Sequence, residues 1–291
     1  MNPEKLQRDI HAFWDDAIVP TISEYIKIPN KSPAFDPDWS ANGFMDQVVD
    51  LVSDWVKKYK PEKSSLHVYK EAGRTPLLIL DVPGDSDGTI LVYGHLDKQP
   101  EMEGWADGLD PWQPVMKEDK LYGRGGADDG YAVFASVCTI NALLVQGIKL
   151  PRIVVLIECS EESGSPDLPF YMEHCADVIG SPDLVICLDS GAGNYEQFWT
   201  TTSLRGLIGC TLRVDILKEG IHSGGGSGIA PSSFRLVRKL LSRLEDENTG
   251  HIIVEKLKVE IPENRIKEVK AMVKALGNEV YNTLPWVAGA G

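Results

Sequence analysis

The chain has 291 residues, with 43 acidic and 29 basic side chains and a formal net charge of −14. An acidic surface without a run of Lys or Arg argues against nucleic acid or an anionic membrane as partner, since both are held by clustered positive charge. An apolar fraction of 43% and a charged fraction of 25% are ordinary for a globular protein, and the length suits two domains.

The N-terminal segment is charged throughout and has no apolar h-region, which argues against a signal peptide. Up to about Ile28, apolar residues at Ile10, Phe13, Trp14, Ile18 and Ile22 keep helical spacing, with Pro20 as a kink or break. Residues 42–59 form a second amphipathic pattern through Phe44, Val48, Leu51 and Trp55. Short apolar runs at 77–80 and 89–93, bounded by Pro and Gly, suit buried strands. A polar loop rich in Trp and Pro covers 98–120. A helix over 129–146, a strand over 153–157, a helix over 168–178 and a strand over 184–188 follow. The stretch 131–148 is the most apolar of the chain. Ser136, Thr139, Asn141 and Gln146 interrupt it, so it reads as a buried helix and not a membrane span.

Strands alternating with helices predict an α/β sandwich around a mostly parallel central sheet, with ligands gathered at the carboxyl ends of the strands. From about Arg205 the pattern changes to a strand at 207–217, a helix at 232–244, a strand at 254–259 and a helix at 264–276. This divides the chain into an α/β domain over 1–204 and a smaller α+β domain over 205–291. Cys138, Cys159, Cys175, Cys187 and Cys210 stand singly in apolar stretches with no C-x-x-C pair. That is the pattern of core thiols in a reducing compartment, and a cytoplasmic location is expected.

Four strand ends carry residues able to hold a cation. His95 and Asp97 are two apart and can share one face of an extended chain, although H-x-D alone is as well explained by a structural His and a surface Asp. Asp128 and Asp129 follow a glycine-rich turn before a helix. That turn could cap the helix or cradle a phosphate, but adjacent aspartates would repel an anion. Glu161 and Glu162 follow the 153–157 strand; adjacent carboxylates repel each other unless a cation or a proton intervenes, or unless the turn is simply solvated. Asp189 closes an apolar strand, where a partly buried carboxylate needs a partner. Neither a Walker sequence nor a G-x-G-x-x-G after a strand is present, which disfavours a nucleotide-binding α/β protein.

In order, H-x-D-x-Q-P (His95 to Pro100), K-L-Y-G-R-G (Lys120 to Gly125) with Asp128 and Asp129, E-E-S-G-S from Glu161, and an apolar strand ending in Asp189 resemble the M20 metallopeptidases. That group includes carboxypeptidase-, carnosinase- and aminoacylase-like enzymes, and the likeness covers roughly residues 75–230. Tyr131 stands where the family often has Gly, and Gly130 where it has Lys. The resemblance implies a zinc-peptidase-like α/β fold with an inserted lid and dimerisation domain. It also implies two divalent metal ions, zinc first, with manganese or cobalt as alternatives. His95 and Asp189 would hold one ion, Asp128 would bridge the two, and Glu162 would hold the second. Glu161 would be general base for the metal-activated water, and Asp97 would orient His95. His222, in Lys218-Glu-Gly-Ile-His222-Ser223-Gly224, would stabilise the oxyanion in a neighbouring subunit, so a homodimer is implied.

The implied reaction is hydrolysis of a peptide or amide bond in a small substrate. A dipeptidase or carboxypeptidase comes first, with an N-acyl amino acid deacylase or a non-catalytic binding remnant as alternatives. Family members supply one more histidine to the second metal from a late return segment. None of His11, His67, His95, His174, His222 and His251 matches it. The resemblance therefore implies a chain truncated before that segment, and impaired when isolated.

Overall fold

The computed structural model describes residues 1–289, which divide into two compact units with the boundary between Gly191 and Ala192. In the first unit, α1 (Pro3–Phe13) is capped at its start by the Asn2 side chain, which accepts the Lys5 N–H. A π-helical turn at Trp14–Ile18 leads into α2 (Val19–Lys27). Pro20 falls in the first turn of α2, directly after the π-helical turn, so the expected kink or break lies where the helical hydrogen-bond pattern changes. A short α3 (Trp39–Asn42) and the long α4 (Phe44–Tyr59) follow.

Strands β1 (Ser65–Tyr69), β2 (Leu77–Val82) and β3 (Thr89–His95) come next, then a hairpin of β4 (Val115–Lys117) and β5 (Lys120–Tyr122) inside the Trp-rich loop. After α5 (Tyr131–Val145) the chain runs through β6 (Arg152–Glu158), α6 (Leu168–His174), α7 (Ala176–Ile179) and β7 (Leu184–Cys187). Among the described residues the main sheet has five strands in the order β1-β2-β6-β3-β7.

The expected α/β sheet flanked by helices is present, and its pairing is mixed. The strands β3, β6 and β7 that carry candidate residues run parallel, whereas β1 and β2 join antiparallel. Strands β1, β4 and β5 were not expected; each is short and lacks a long apolar run. Alternation then builds the layers. Leu78, Leu80, Val82, Ile153, Val155 and Ile157 face a core made with α2, α4 and α5, while Leu77, Ile79, Val154 and Leu156 face Tyr171, Cys175 and Ile179 of α6 and α7. The stretch Gly126–Val145, which ends in α5, is apolar enough by length and composition to cross a membrane, yet Ala132, Val133, Phe134, Val137, Cys138 and Ile140 are buried inside the first core.

The second unit contains α8 (Ser223–Gly226), α9 (Ser233–Leu241), α10 (Glu263–Leu276) and α11 (Glu279–Asn282). The two strands expected there are absent. Residues 207–217 have no regular structure, and the 254–259 stretch contains a 3₁₀ turn at Glu255–Leu257. Alternation makes a strand only where a neighbour accepts its hydrogen bonds. Among the described residues 207–217 pairs with nothing, and Leu207 and Ile208 are exposed.

Phe134 is fully buried and meets Trp55 edge to face, with ring centroids 4.8 Å apart. Phe134→Ala is expected to destabilise the first unit by about 3–5 kcal/mol, read from urea unfolding of the sheet signal; a loss below about 1 kcal/mol would contradict this packing.

Candidate metal centre

The parallel register brings the candidate residues to one rim. Tyr93 pairs with Cys187, so two residues further on His95 and Asp189 stand level, and His95 itself pairs with Glu158 at the end of β6. The 3₁₀ turn Glu161–Ser163 continues from β6, and the irregular turn Gly126–Gly130 brings Asp128 in from the start of α5.

His95 is fully buried. Its Nδ1 donates to the main-chain carbonyl of Asp97 at 3.0 Å, with the Asp97 carboxylate 3.4 Å away, which leaves Nε2 to face the site. Nε2 is buried and makes no hydrogen bond. Around it lie Asp128 Oδ1 at 3.3 Å, Asp189 Oδ2 at 3.7 Å and Glu161 Oε2 at 3.8 Å. Ligands each about 2.1 Å from a tetrahedral zinc would be roughly 3.4 Å from one another. The three carboxylate oxygens therefore stand at ligand-like distances from Nε2. Two groups have ligand atoms within 4.8 Å of each other: His95 with Asp128 and Asp189, and His95 with Glu161 and Glu162. One imidazole nitrogen and several carboxylate oxygens form a donor set for a borderline or hard divalent cation.

The charges point the same way. Burial raises Glu162 to about 7, with help from the Asp128 and Glu161 charges. Burial likewise raises Asp129 to about 8, and it raises Glu161 and Asp189 with help from neighbouring carboxylates. Burial alone would lower His95, but the carboxylates of Asp128 and Asp97 outweigh it and raise the ring to about 11. Without a cation, a proton on His95 and protons shared among the carboxylates take its place.

Asp97 and several residues outside the candidate set hold these groups in position. Asp97 is fully buried; its Oδ1 accepts the N–H of Glu161 at 3.1 Å and its Oδ2 that of Glu162 at 3.0 Å. The Leu96 carbonyl accepts both the Tyr25 hydroxyl at 2.8 Å and the Asn30 amide at 2.7 Å. Asp129 accepts the His95 N–H at 3.1 Å, which is possible because residue 94 is glycine: a Cβ there would lie 2.6 Å from Asp129 Oδ2. That glycine within a strand was the one available signal for the contact. Lys98 is fully buried and donates to the carbonyls of Tyr25 at 2.7 Å and Ile28 at 2.8 Å, and burial pushes its ammonium well below the usual lysine range. Its stem fills the space that a Cβ on Gly125 would need. Tyr131, the departure from the resembling pattern, donates its hydroxyl to the Leu188 carbonyl beside Asp189.

The first unit thus brings together His95, Asp97, Asp128, Glu161, Glu162 and Asp189. His222 belongs to the second unit, where it is exposed and its Nδ1 accepts the Gly224 N–H at 3.1 Å.

An acid whose pKa is raised by folding stabilises the folded chain only while protonated. Its contribution is complete below the unfolded value and is lost as pH rises through the folded one. For Glu162 that window runs from 4.5 to about 7, for Asp129 from 3.8 to about 8. His95, raised from 6.5 to about 11, also loses its contribution on the alkaline side. The metal-free chain is therefore expected to melt a few degrees lower at about pH 8 than at about pH 5. Added divalent cation should raise the melting temperature more at the higher pH. Thermal melts with chelator and with excess Zn or Mn check this, and a metal-free chain that becomes more stable over that range contradicts it.

Comparison with known proteins identifies the family of the chain. Residues 91–275 match the model of peptidase family M20/M25/M40. The human Beta-Ala-His dipeptidase is 27% identical over 258 residues, covering 84% of this chain and 49% of that protein. The Cys-Gly metallodipeptidase of Candida albicans is 34% identical over 177 residues, covering 57% of this chain and 35% of that protein. The chain thus spans about half the length of the first of these relatives. The crystal structure of human carnosine dipeptidase 1 superposes with a TM-score of 0.63 at 24% identity, covering 92% of this chain and 58% of that one. An M20 family metallo-carboxypeptidase from Sulfolobus solfataricus gives 0.62 at 20%, covering 94% and 60%; both share the fold. With the family model matched over more than half of its length, the chain belongs to peptidase family M20/M25/M40.

Proposed function

We propose that the chain carries the catalytic centre of a dinuclear metal-dependent hydrolase that cleaves the peptide bond of a small substrate, as a dipeptidase does. The observation that carries this reading is the convergence of three carboxylate oxygens, within 3.8 Å, on one buried imidazole nitrogen that makes no hydrogen bond. The relatives named dipeptidase in human and Candida albicans support the substrate class.

In this reading His95, Asp128 and Asp189 hold one divalent ion, and Asp128 and Glu162 hold a second. Zinc suits the donors best, with manganese or cobalt as alternatives. When bound, such ions acidify water and polarise a carbonyl. Glu161 is the general base. Its carboxylate is 34% exposed, so water reaches it, and burial raises its proton affinity above that of an ordinary glutamate, which suits a group that must take up a proton and release it again. It takes the proton of the attacking water and returns it to the leaving amine. Asp97 fixes the His95 ring and the 161–162 turn. His222 acts from the partner subunit of a homodimer, donating a hydrogen bond to the developing oxyanion, with residues 205–291 as lid and dimerisation surface. The free cysteines support a cytoplasmic site of action.

Glu161→Gln is expected to lower dipeptide turnover by about 10²–10⁴-fold while leaving the bound divalent metal, measured by elemental analysis, unchanged. Dipeptides and N-acyl amino acids offered side by side test the substrate class, and preference for the latter makes the protein a deacylase. A protein that binds no divalent metal, or a Glu161→Gln variant with parental turnover, overturns the reading.

A further inference from the structure

Gln99 belongs to the H-x-D-x-Q-P segment, and none of the roles assigned above uses it. The contacts of residues 97–99 alternate in direction. Asp97 accepts the N–H groups of Glu161 and Glu162, Lys98 reaches the opposite way to the end of α2, and Gln99 turns back to the glutamates. Its amide Nε2 donates to Glu162 Oε2. The other carboxylate oxygen, Glu162 Oε1, is buried and makes no hydrogen bond. Asp97 Oδ2 holds the Glu162 backbone at 3.0 Å, so main chain and carboxylate are both tied to the segment that leaves β3. The Asp128 and Glu162 carboxyl groups stand near enough to act on each other's charge.

We propose that Gln99 is a positioning residue for cation binding: by occupying Oε2 it turns Glu162 so that Oε1 alone is presented to a divalent ion. The chemistry of the side chain fits this task. A primary amide donates a directed hydrogen bond and carries no charge, so it orients a carboxylate without neutralising it. A lysine in its place would compete with the ion for the same negative charge. Glu162 thereby becomes a one-oxygen ligand with its second oxygen already satisfied. Hydrogen bonds behind a ligand commonly account for about 10–100-fold in metal affinity.

This inference rests on the dinuclear reading, and the test separates the two. Mn²⁺ and Zn²⁺ are titrated calorimetrically into the 291-residue protein and into Gln99→Met, which keeps the length and removes the donor. Glu162→Ala and the double variant are titrated in parallel, with Co²⁺ absorption as a second readout of ligand geometry. Gln99→Met is expected to weaken the cation binding that depends on Glu162 by about 10–100-fold and to change the Co²⁺ spectrum. In the Glu162→Ala background it should add less than about twofold. Thermal melts of the metal-free variants show that they fold. Should Gln99→Met fail there, Gln99→Leu, which also removes the donor and adds no charge, replaces it with the same expected loss. Parental affinity in Gln99→Met, or an equal loss with Glu162 already removed, overturns the proposal and leaves the dinuclear reading standing. A parent protein that binds no divalent cation overturns both.

Discussion

The site depends on one buried carboxylate. Asp97 lies on the chain leaving β3, and its two oxygens take the N–H groups of Glu161 and Glu162 from the turn after β6, while its main-chain carbonyl takes Nδ1 of His95. One residue therefore sets the rotation of the imidazole and the position of the glutamate pair together. Burying an ionised carboxylate is costly unless it is well hydrogen-bonded, and here the partners that satisfy it are the same groups that must be aligned.

Around this point the structure sorts its acids by what accompanies them. Glu158 is buried but accepts the hydroxyls of Tyr93 at 2.6 Å, Ser165 at 2.8 Å and Ser160 at 3.2 Å, so it is fully engaged in holding the turn. Asp129 is buried with one oxygen on the His95 N–H. Asp128, Glu161 and Asp189 have side chains about a third to half exposed, and they crowd around one imidazole nitrogen. Of these inner acids, only the last group and Glu162 face the place where a cation would relieve their repulsion.

The pattern of candidate residues was legible in the sequence because it is local. H-x-D, the paired aspartates, the paired glutamates and the terminal Asp of an apolar strand each declare themselves within a few residues, and parallel strands place such ends together. The supporting contacts were not legible. Tyr25 and Lys98 are 73 positions apart, and Gln99 and Glu162 63 apart, so no local spacing announces them; only Gly94 and Gly125 hinted that something approached closely. The mixed pairing of the sheet was equally hidden, since alternation specifies faces and not neighbours. In the second unit the same limit led to the opposite error, where alternating residues suggested strands that find no partner among the described residues.

The three parallel strands also act as rulers. Because β3 and β6 end level at His95 and Glu158, with β7 ending opposite Tyr93, the distance between the candidate residues is set by how many residues each strand contributes before its turn, and side chains alternate at every step. Loss or gain of one residue within β3 would not shift His95 by a small amount; it would send the imidazole to the opposite side of the sheet, among the side chains that pack on α2, α4 and α5. The loops around the rim can therefore vary in length and composition far more freely than the short strands beneath them. Diversification of such a site is channelled into its rim, while the strand lengths stay fixed.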